Sequence, residues 1–134
     1  MPVEIAKNGD GTVAMAYCFG KLTATDVSDS VNVAFGSRGI EPGMDRIVTI
    51  DPAAALQDLD IEALRRIQRR MLDQELRGGG EAAFRSVLVH SSPMQMYLMR
   101  LYKAVWDALD LPDVEFFVVE SEDEGWEILG SVPG

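Results

Sequence analysis

The sequence predicts a single α/β domain with a five-stranded, mixed but mostly parallel sheet and about four helices. Short β-branched segments alternate with amphipathic helical segments along the chain, as in folds with parallel sheets. A tight turn joins only one pair of neighbouring strands, so only one antiparallel pair is expected. The 134 residues, 47% of them hydrophobic, suit one core. We therefore take residues 1–134 as one domain.

The first two strands form a predicted hairpin. Residues 3–7 alternate between apolar and polar side chains, and residues 12–19 form a second apolar strand after an Asn-Gly-Asp-Gly turn. Thr23 or Thr25 then caps a helix that runs to about Phe35. The chain therefore enters its first helix soon after the hairpin.

A third strand and a second helix occupy the middle of the chain. Residues 46–51 form a short β-branched strand, and residues 52–60 are a connection of undefined structure. Asp60 caps a helix that ends near Arg77, where the glycines at positions 78–80 stop it. We expect that glycine run to be a loop within one domain.

The last part of the chain repeats the strand–helix pattern. Residues 84–90 form a strand, and Ser92 with Pro93 begins a long apolar helix. Residues 114–119 form the last strand, and residues 121–129 lead into the last helix. The predicted order is therefore β-β-α-β-α-β-α-β-α.

Composition limits the classes of partner. The formal net charge of −10 disfavours nucleic acid, because phosphate binding needs an excess of Lys and Arg. The single cysteine, Cys18, lies in an apolar segment and is expected to be a buried, inert thiol. We expect no signal peptide and no integral membrane segment, and therefore a cytoplasmic location.

The carboxyl ends of the predicted strands are the expected place for a ligand site. Asp51, His90, Ser91 and Ser92 lie there. A catalytic interpretation uses His90 as a base beside a serine, whereas the alternative is a strand-end histidine with a capping serine. The sequence has no Gly-x-Ser-x-Gly nucleophile elbow, and its one histidine and one cysteine lie far apart, so we predict no catalytic residues, no cofactor and no metal.

A basic face is predicted on the second helix. Its residues are Arg65, Arg66, Arg69 and Arg70, which share one broad side of the helix. This face could dock an acidic partner or an anionic ligand. The alternative is a solvated face whose charge is moderated by neighbouring acidic residues.

The helix predicted over residues 93–110 is apolar around most of its circumference. Met96, Met99, Tyr102 and Trp106 belong to this surface, which one sheet cannot cover completely. Exposed methionine-rich surfaces adapt to varied partners, although such residues also form cores. We expect Met99 and Trp106 to face outward, and a homodimer to form through this helix or through the sheet face beside it.

The chain resembles the SpoIIAA-like branch of the STAS superfamily, domains related to anti-sigma-factor antagonists. The resemblance covers nearly the whole chain and rests on the order, spacing and apolar pattern of its segments. The matching segments are residues 19–23, 46–51, 86–89, 92–93, 96–102, 114–117 and 126–129.

The resemblance implies a βα superhelix and a non-enzymatic role. Anti-sigma-factor antagonists are switched by phosphorylation of a Ser or Thr just after a central strand, but residues 51–55 of this chain read Asp-Pro-Ala-Ala-Ala. The leading expectation is a non-catalytic protein-interaction or regulatory module that self-associates. The alternative is a carrier or sensor for a small apolar or anionic ligand, since some SpoIIAA-like proteins look similar to Sec14-type lipid-binding domains.

Overall fold

The computed structural model describes residues 2–77 and 79–134. Strands and helices alternate along these residues. The strands are β1 (Val3–Lys7), β2 (Val13–Cys18), β3 (Lys21–Thr23), β4 (Asp45–Ile50), β5 (Ala55–Gln57), β6 (Phe84–Val89) and β7 (Val114–Val119). The helices are α1 (Ala24–Phe35), α2 (Ile61–Glu75), α3 (Pro93–Asp107) and α4 (Glu122–Leu129).

Five strands form the main sheet in the order β1-β2-β4-β6-β7. The β1–β2 pair is antiparallel and the other pairs are parallel, which confirms the predicted mixed sheet. One row of paired residues crosses the sheet near the amino ends of the parallel strands. It consists of Ala14, Arg46, Ser86 and Phe116.

The sequence did not predict the second, smaller sheet, in which β3 and β5 pair in parallel. Residues 52–60, expected to be an undefined connection, contain β5. Each strand has three residues, too few for a visible alternation of apolar side chains. The strands β3 and β5 meet because they follow β2 and β4, whose carboxyl ends lie side by side in the main sheet. The N–H of Ala55 donates to the Gly20 carbonyl at 2.8 Å.

The predicted helix starts are confirmed. The Thr23 and Asp60 side chains cap α1 and α2, and Ser92 caps α3 with Pro93 in its first turn. Each capping oxygen accepts a hydrogen bond from a backbone N–H that has no partner within the helix. The three capped helices therefore begin where the sequence placed them.

Two helices end earlier than predicted. The helix α2 ends at Glu75 instead of near Arg77, and α3 ends at Asp107 instead of near Asp110. Asp110 adopts a left-handed conformation with φ of 52°, which is incompatible with a continued helix. The predicted glycine stop falls partly on Gly78, which lies outside the described residues.

The two faces of the main sheet are covered unequally. The side chains of α1, α2 and α3 pack on one face, whereas the eight-residue α4 packs on the other face against β4, β6 and β7. A Cβ atom on Gly125 would lie 2.7 Å from Ile47 Cδ1 and 2.8 Å from Val87 Cγ1. The glycine therefore lets α4 approach the sheet closely.

A buried ion pair joins the sheet to the end of α2. Arg46 Nη2 lies 2.9 Å from Glu75 Oε2, and the two side chains are 8% and 1% exposed. Glu75 also accepts a hydrogen bond of 2.8 Å from Gly43 N–H. The Arg46 guanidinium lies 3.9 Å from the centre of the Phe84 ring. These contacts fix the last turn of α2 over the start of β4.

No helix in the described part of the chain is long and apolar enough to cross a lipid bilayer.

Candidate functional site

An apolar cavity of about 180 Å³ lies between the main sheet and helices α1, α2 and α3. Side chains from both sheets and from all three helices line it, among them Val48, Leu56, Leu64 and Leu98. Its volume exceeds the ~150 Å³ of an engineered apolar cavity that binds benzene or xenon. The cavity is therefore large enough for one small ring or a short hydrocarbon chain.

The incomplete burial of side chains on the central strand β4 is a second indication of this cavity. Val48 and Ile50 lie on β4, in the middle of the sheet and under the helices, yet both are only half-buried. Side chains in such a position are normally enclosed on all sides. Ala14 and Ala16 on the neighbouring strand β2 also line the cavity and are too short to fill it. Small side chains on β2 thus contribute to the cavity beneath the helices.

The single cysteine belongs to the cavity wall. Cys18 is 5% exposed and lines the cavity at the end of β2. Burial raises the pKa of its thiol to about 11. At neutral pH the side chain is therefore a protonated thiol and acts as a small apolar group.

Three of the predicted strand-end residues, Asp51, Ser91 and Ser92, come together around Gln95 of α3, which was not among the predicted site residues. Gln95 is 2% exposed, and its side chain accepts a hydrogen bond of 2.9 Å from Ser91 N–H and donates one of 3.0 Å to the Asp51 carbonyl. Its own N–H donates to Ser92 Oγ at 3.2 Å. Gln95 therefore ties the start of α3 to the ends of β4 and β6.

His90 does not join this network through its side chain. The residue is 9% exposed, and its backbone N–H donates to the Val119 carbonyl at 3.0 Å. Within residues 2–77 and 79–134, the imidazole makes no hydrogen bond to Asp51, Ser91 or Ser92. The contacts that a histidine base and a serine nucleophile need are thus not formed there.

Asp51 instead makes a side-chain contact with an exposed tyrosine. The Tyr17 hydroxyl donates a hydrogen bond to Asp51 Oδ2, and Ala53 N–H donates to Asp51 Oδ1 at 2.8 Å. The hydrogen bond between the two side chains raises the pKa of Tyr17 and lowers the pKa of Asp51. Both pKa changes arise because the hydrogen bond stabilises the charged carboxylate of Asp51 and the protonated hydroxyl of Tyr17.

The arginines of α2 are exposed, as predicted. They are Arg65, Arg66, Arg69 and Arg70. Two of them have acidic neighbours, since Arg65 lies 3.6 Å from Glu62 and Arg70 lies 3.8 Å from Asp29. A shallow polar groove between α1 and α2 contains both arginine and aspartate side chains. The face is therefore mixed in charge where it meets α1.

The expectation that Met99 and Trp106 face outward from α3 is wrong. The structure buries both, with 4% and 2% exposure, in the cluster that contains Phe84 and Phe116. Met96 and Tyr102 are half-buried. The long apolar circumference of α3 is used because the helix contacts the sheet on one side and α2 on another.

The exposed apolar part of α3 is its first turn. Met94 and Tyr97 are each 63% exposed, and Ile61 at the start of α2 is 40% exposed. Helices that follow parallel strands begin at the carboxyl end of the sheet. These side chains therefore lie at the same end as β5 and the cavity-lining Leu56.

The amino-acid sequence alone did not predict the cavity. The unused signal is the combination of Ala14, Ala16 and Ser86 at helix-facing positions of the strands. Small side chains at those positions indicate a cavity only when the order of the strands and the positions of the helices are already known. A metal centre has no comparable support, since no three His, Cys, Asp or Glu side chains among the described residues are grouped to hold an ion.

Comparison with models of protein families and with curated proteins finds no match to this chain.

We predict that native Cys18 reacts slowly with iodoacetamide at pH 8. An ordinary thiol has a pKa near 9.0, so the value of about 11 lowers the thiolate fraction by about a hundredfold, and burial slows the reaction further. Mass spectrometry of the alkylated protein measures the rate, with urea-unfolded protein as the reference. Equal rates in the two states would contradict a buried thiol.

Proposed function

We propose that this protein is a non-catalytic carrier or sensor that binds a small apolar ligand in the cavity between the main sheet and α1–α3. The observation that carries the proposal is the cavity of about 180 Å³ with an almost wholly hydrocarbon lining. Burial of a ligand surface there is favourable by roughly 25 cal/mol per Å² of apolar area. The site needs no catalytic group for this role.

The size of the cavity restricts the ligand. Sites for drug-sized molecules usually have volumes of roughly 300–1,000 Å³, so this cavity suits a single ring or a short chain. An anionic ligand is less well matched, because Arg46, the one cation that lines the cavity among the described residues, is already paired with Glu75. We therefore favour the apolar over the anionic form of this function.

The carboxyl end of the sheet is the proposed entrance. Leu56, Leu59 and Leu98 line the cavity and are only half-buried. Leu56 belongs to the three-residue strand β5, which pairs only with β3. A short edge element of this kind opens at a lower free-energy cost than the main sheet. A ligand could therefore enter without disruption of the five-stranded sheet.

The second candidate is the self-associating regulatory module implied by the SpoIIAA-like resemblance. The observation that favours it is the pair of exposed side chains Met94 and Tyr97, which lie three residues apart on one helix face. Ile61 adds apolar surface at the same end of the sheet. In this proposal a second copy of the chain covers the patch, and the protein acts in the cytoplasm as a homodimer.

Filling the cavity should abolish ligand binding without loss of stability. Ala16 lines the cavity, so Ala16→Leu places additional carbon atoms in empty space and should raise the free energy of unfolding by about 1 kcal/mol. Toluene at ten times its Kd should raise the wild-type Tm by about 5 °C and leave the Tm of this variant unchanged. Thermal unfolding with and without toluene provides the measurement.

The matched control is Ala6→Leu. Ala6 lies on β1, is exposed and is absent from the cavity lining. This variant should respond to toluene as the wild type does. A wild-type Tm that toluene does not change, or an equal response in Ala16→Leu, would refute the ligand-binding proposal.

Self-association is tested separately by a charge at Tyr97. A dimer that covers Met94 and Tyr97 should dissociate in Tyr97→Glu, because the new carboxylate would have to be buried without a partner. Light scattering at micromolar concentration should give a dimer for the wild type and a monomer for the variant. Leu76→Glu is the control, because Leu76 is 43% exposed beyond the opposite end of α2 and should leave the dimer intact. A monomeric wild type would exclude this second candidate.

A further inference from the structure

The cavity has a polar end. Arg46 and Ser86 are paired neighbours on β4 and β6, and both line the cavity near the amino ends of these strands. Tyr102 lines the cavity from α3, and its ring centre lies 5.7 Å from that of Phe116, the β7 partner of Ser86. The three polar side chains are therefore gathered in one region of a lining that is otherwise hydrocarbon apart from Ser30 and the Cys18 thiol.

Ser86 presents an unused hydroxyl. The residue is 2% exposed, and its Oγ makes no hydrogen bond within residues 2–77 and 79–134. Ser86 lies beside Arg46 on the helix-facing side of the sheet and lines the cavity. A buried hydroxyl without a partner costs free energy, which a ligand oxygen could recover.

Tyr102 presents a second hydroxyl. Burial raises the pKa of Tyr102 to about 12, although the side chain keeps part of its surface free. A side chain can be shielded from bulk water, with a raised pKa, and still keep free surface if that surface borders an internal cavity. The Trp106 indole N–H, which has no other partner among the described residues, interacts with the Tyr102 hydroxyl oxygen and acts to lower this pKa. At neutral pH the Tyr102 hydroxyl is nevertheless protonated, and its O–H can donate to a ligand oxygen.

Arg46 sets the charge of the ligand. Its Nη2 donates to Glu75 Oε2 at 2.9 Å and to the Met44 carbonyl at 2.8 Å. Within residues 2–77 and 79–134, Nη1 donates only to the weakly accepting Met71 Sδ, at 3.1 Å. Since Glu75 already neutralises this guanidinium, a ligand carboxylate would leave a buried net negative charge, which is costly. A neutral oxygen avoids that cost.

We propose that the cavity takes a small neutral ligand with an apolar body and one hydroxyl or carbonyl oxygen, which Ser86 and Tyr102 bind beside Arg46. This inference rests on the proposed ligand-binding function and adds the chemical class of the ligand. The hydrocarbon body fills the region between Val48 and Leu64, toward the carboxyl end of the sheet.

The test compares two probes of nearly equal shape, toluene and phenol, by titration calorimetry at pH 7. In a wholly apolar cavity the phenol hydroxyl would lose its hydrogen bonds to water, and phenol would bind at least about tenfold more weakly than toluene. With the polar end in place, phenol should bind the wild type at least as tightly as toluene. Ser86→Ala and Tyr102→Phe should each weaken phenol binding about fivefold and change toluene binding less than twofold.

Ser30→Ala is the matched control. Ser30 also lines the cavity, but its hydroxyl already donates to the Val27 carbonyl at 2.6 Å. Its removal should therefore produce no selective loss of phenol binding. Toluene binding by each variant shows that the fold and the cavity are intact, so a variant that fails to fold is recognised, and the other variant then decides the question.

The outcomes separate the two proposals. Failure of the wild type to bind either probe would overturn the ligand-binding function itself. Toluene binding with phenol at least tenfold weaker would leave that function in place and overturn the polar end. Tight phenol binding that neither Ser86→Ala nor Tyr102→Phe reduces would likewise overturn the assignment of these hydroxyls.

Discussion

The ion pair between Arg46 and Glu75 is the contact on which the helical layer depends. Arg46 lies on the central strand of the sheet and faces the helices, so its charge must be compensated inside the protein. Glu75 supplies this compensation from the last turn of α2, and Gly43 N–H completes its hydrogen bonding. Removal of either charged partner would leave an uncompensated buried charge, at a cost of roughly 3–5 kcal/mol. The position of α2 over the sheet is thereby fixed.

The cavity follows from that fixed position together with small side chains. The amino-terminal half of α2 extends toward the carboxyl end of the sheet, over Ala16 and Val48, which leave space beneath Leu64. Side chains that border such space lack packing partners on one side and lose part of their dispersion contacts. A bound apolar ligand would restore much of the lost packing.

Local chemistry explains why most of the fold could be predicted from the sequence. The caps Thr23, Asp60 and Ser92 and the Asn-Gly-Asp-Gly turn each act through neighbouring residues, so the pattern alone identifies them. The strands β3 and β5 could not be found in this way, because they exist only where the ends of β2 and β4 emerge together. The structure confirms the predicted five-stranded sheet and contains a second, two-stranded sheet that was not predicted.

The candidate site was far less predictable, since it depends on which helix faces meet. Met99 and Trp106 were expected to face outward, yet they lie on the side of α3 that packs against Phe84 and Phe116 of the sheet. The helix α2 covers another side of α3, where Gln68 donates to the Val105 carbonyl at 2.6 Å. Gln95 is also buried and donates to the Asp51 carbonyl at 3.0 Å. In both cases the partner lies far away in sequence, and no local pattern reports it.

The central claim is that the space between the sheet and the helices exists and is apolar. Diffraction from crystals of the protein under xenon pressure tests it most directly, because xenon occupies apolar cavities of this size. The account predicts xenon density bordered by Val48 and Leu64. Crystals without such density, in which Val48 is fully packed against the helices, would contradict it.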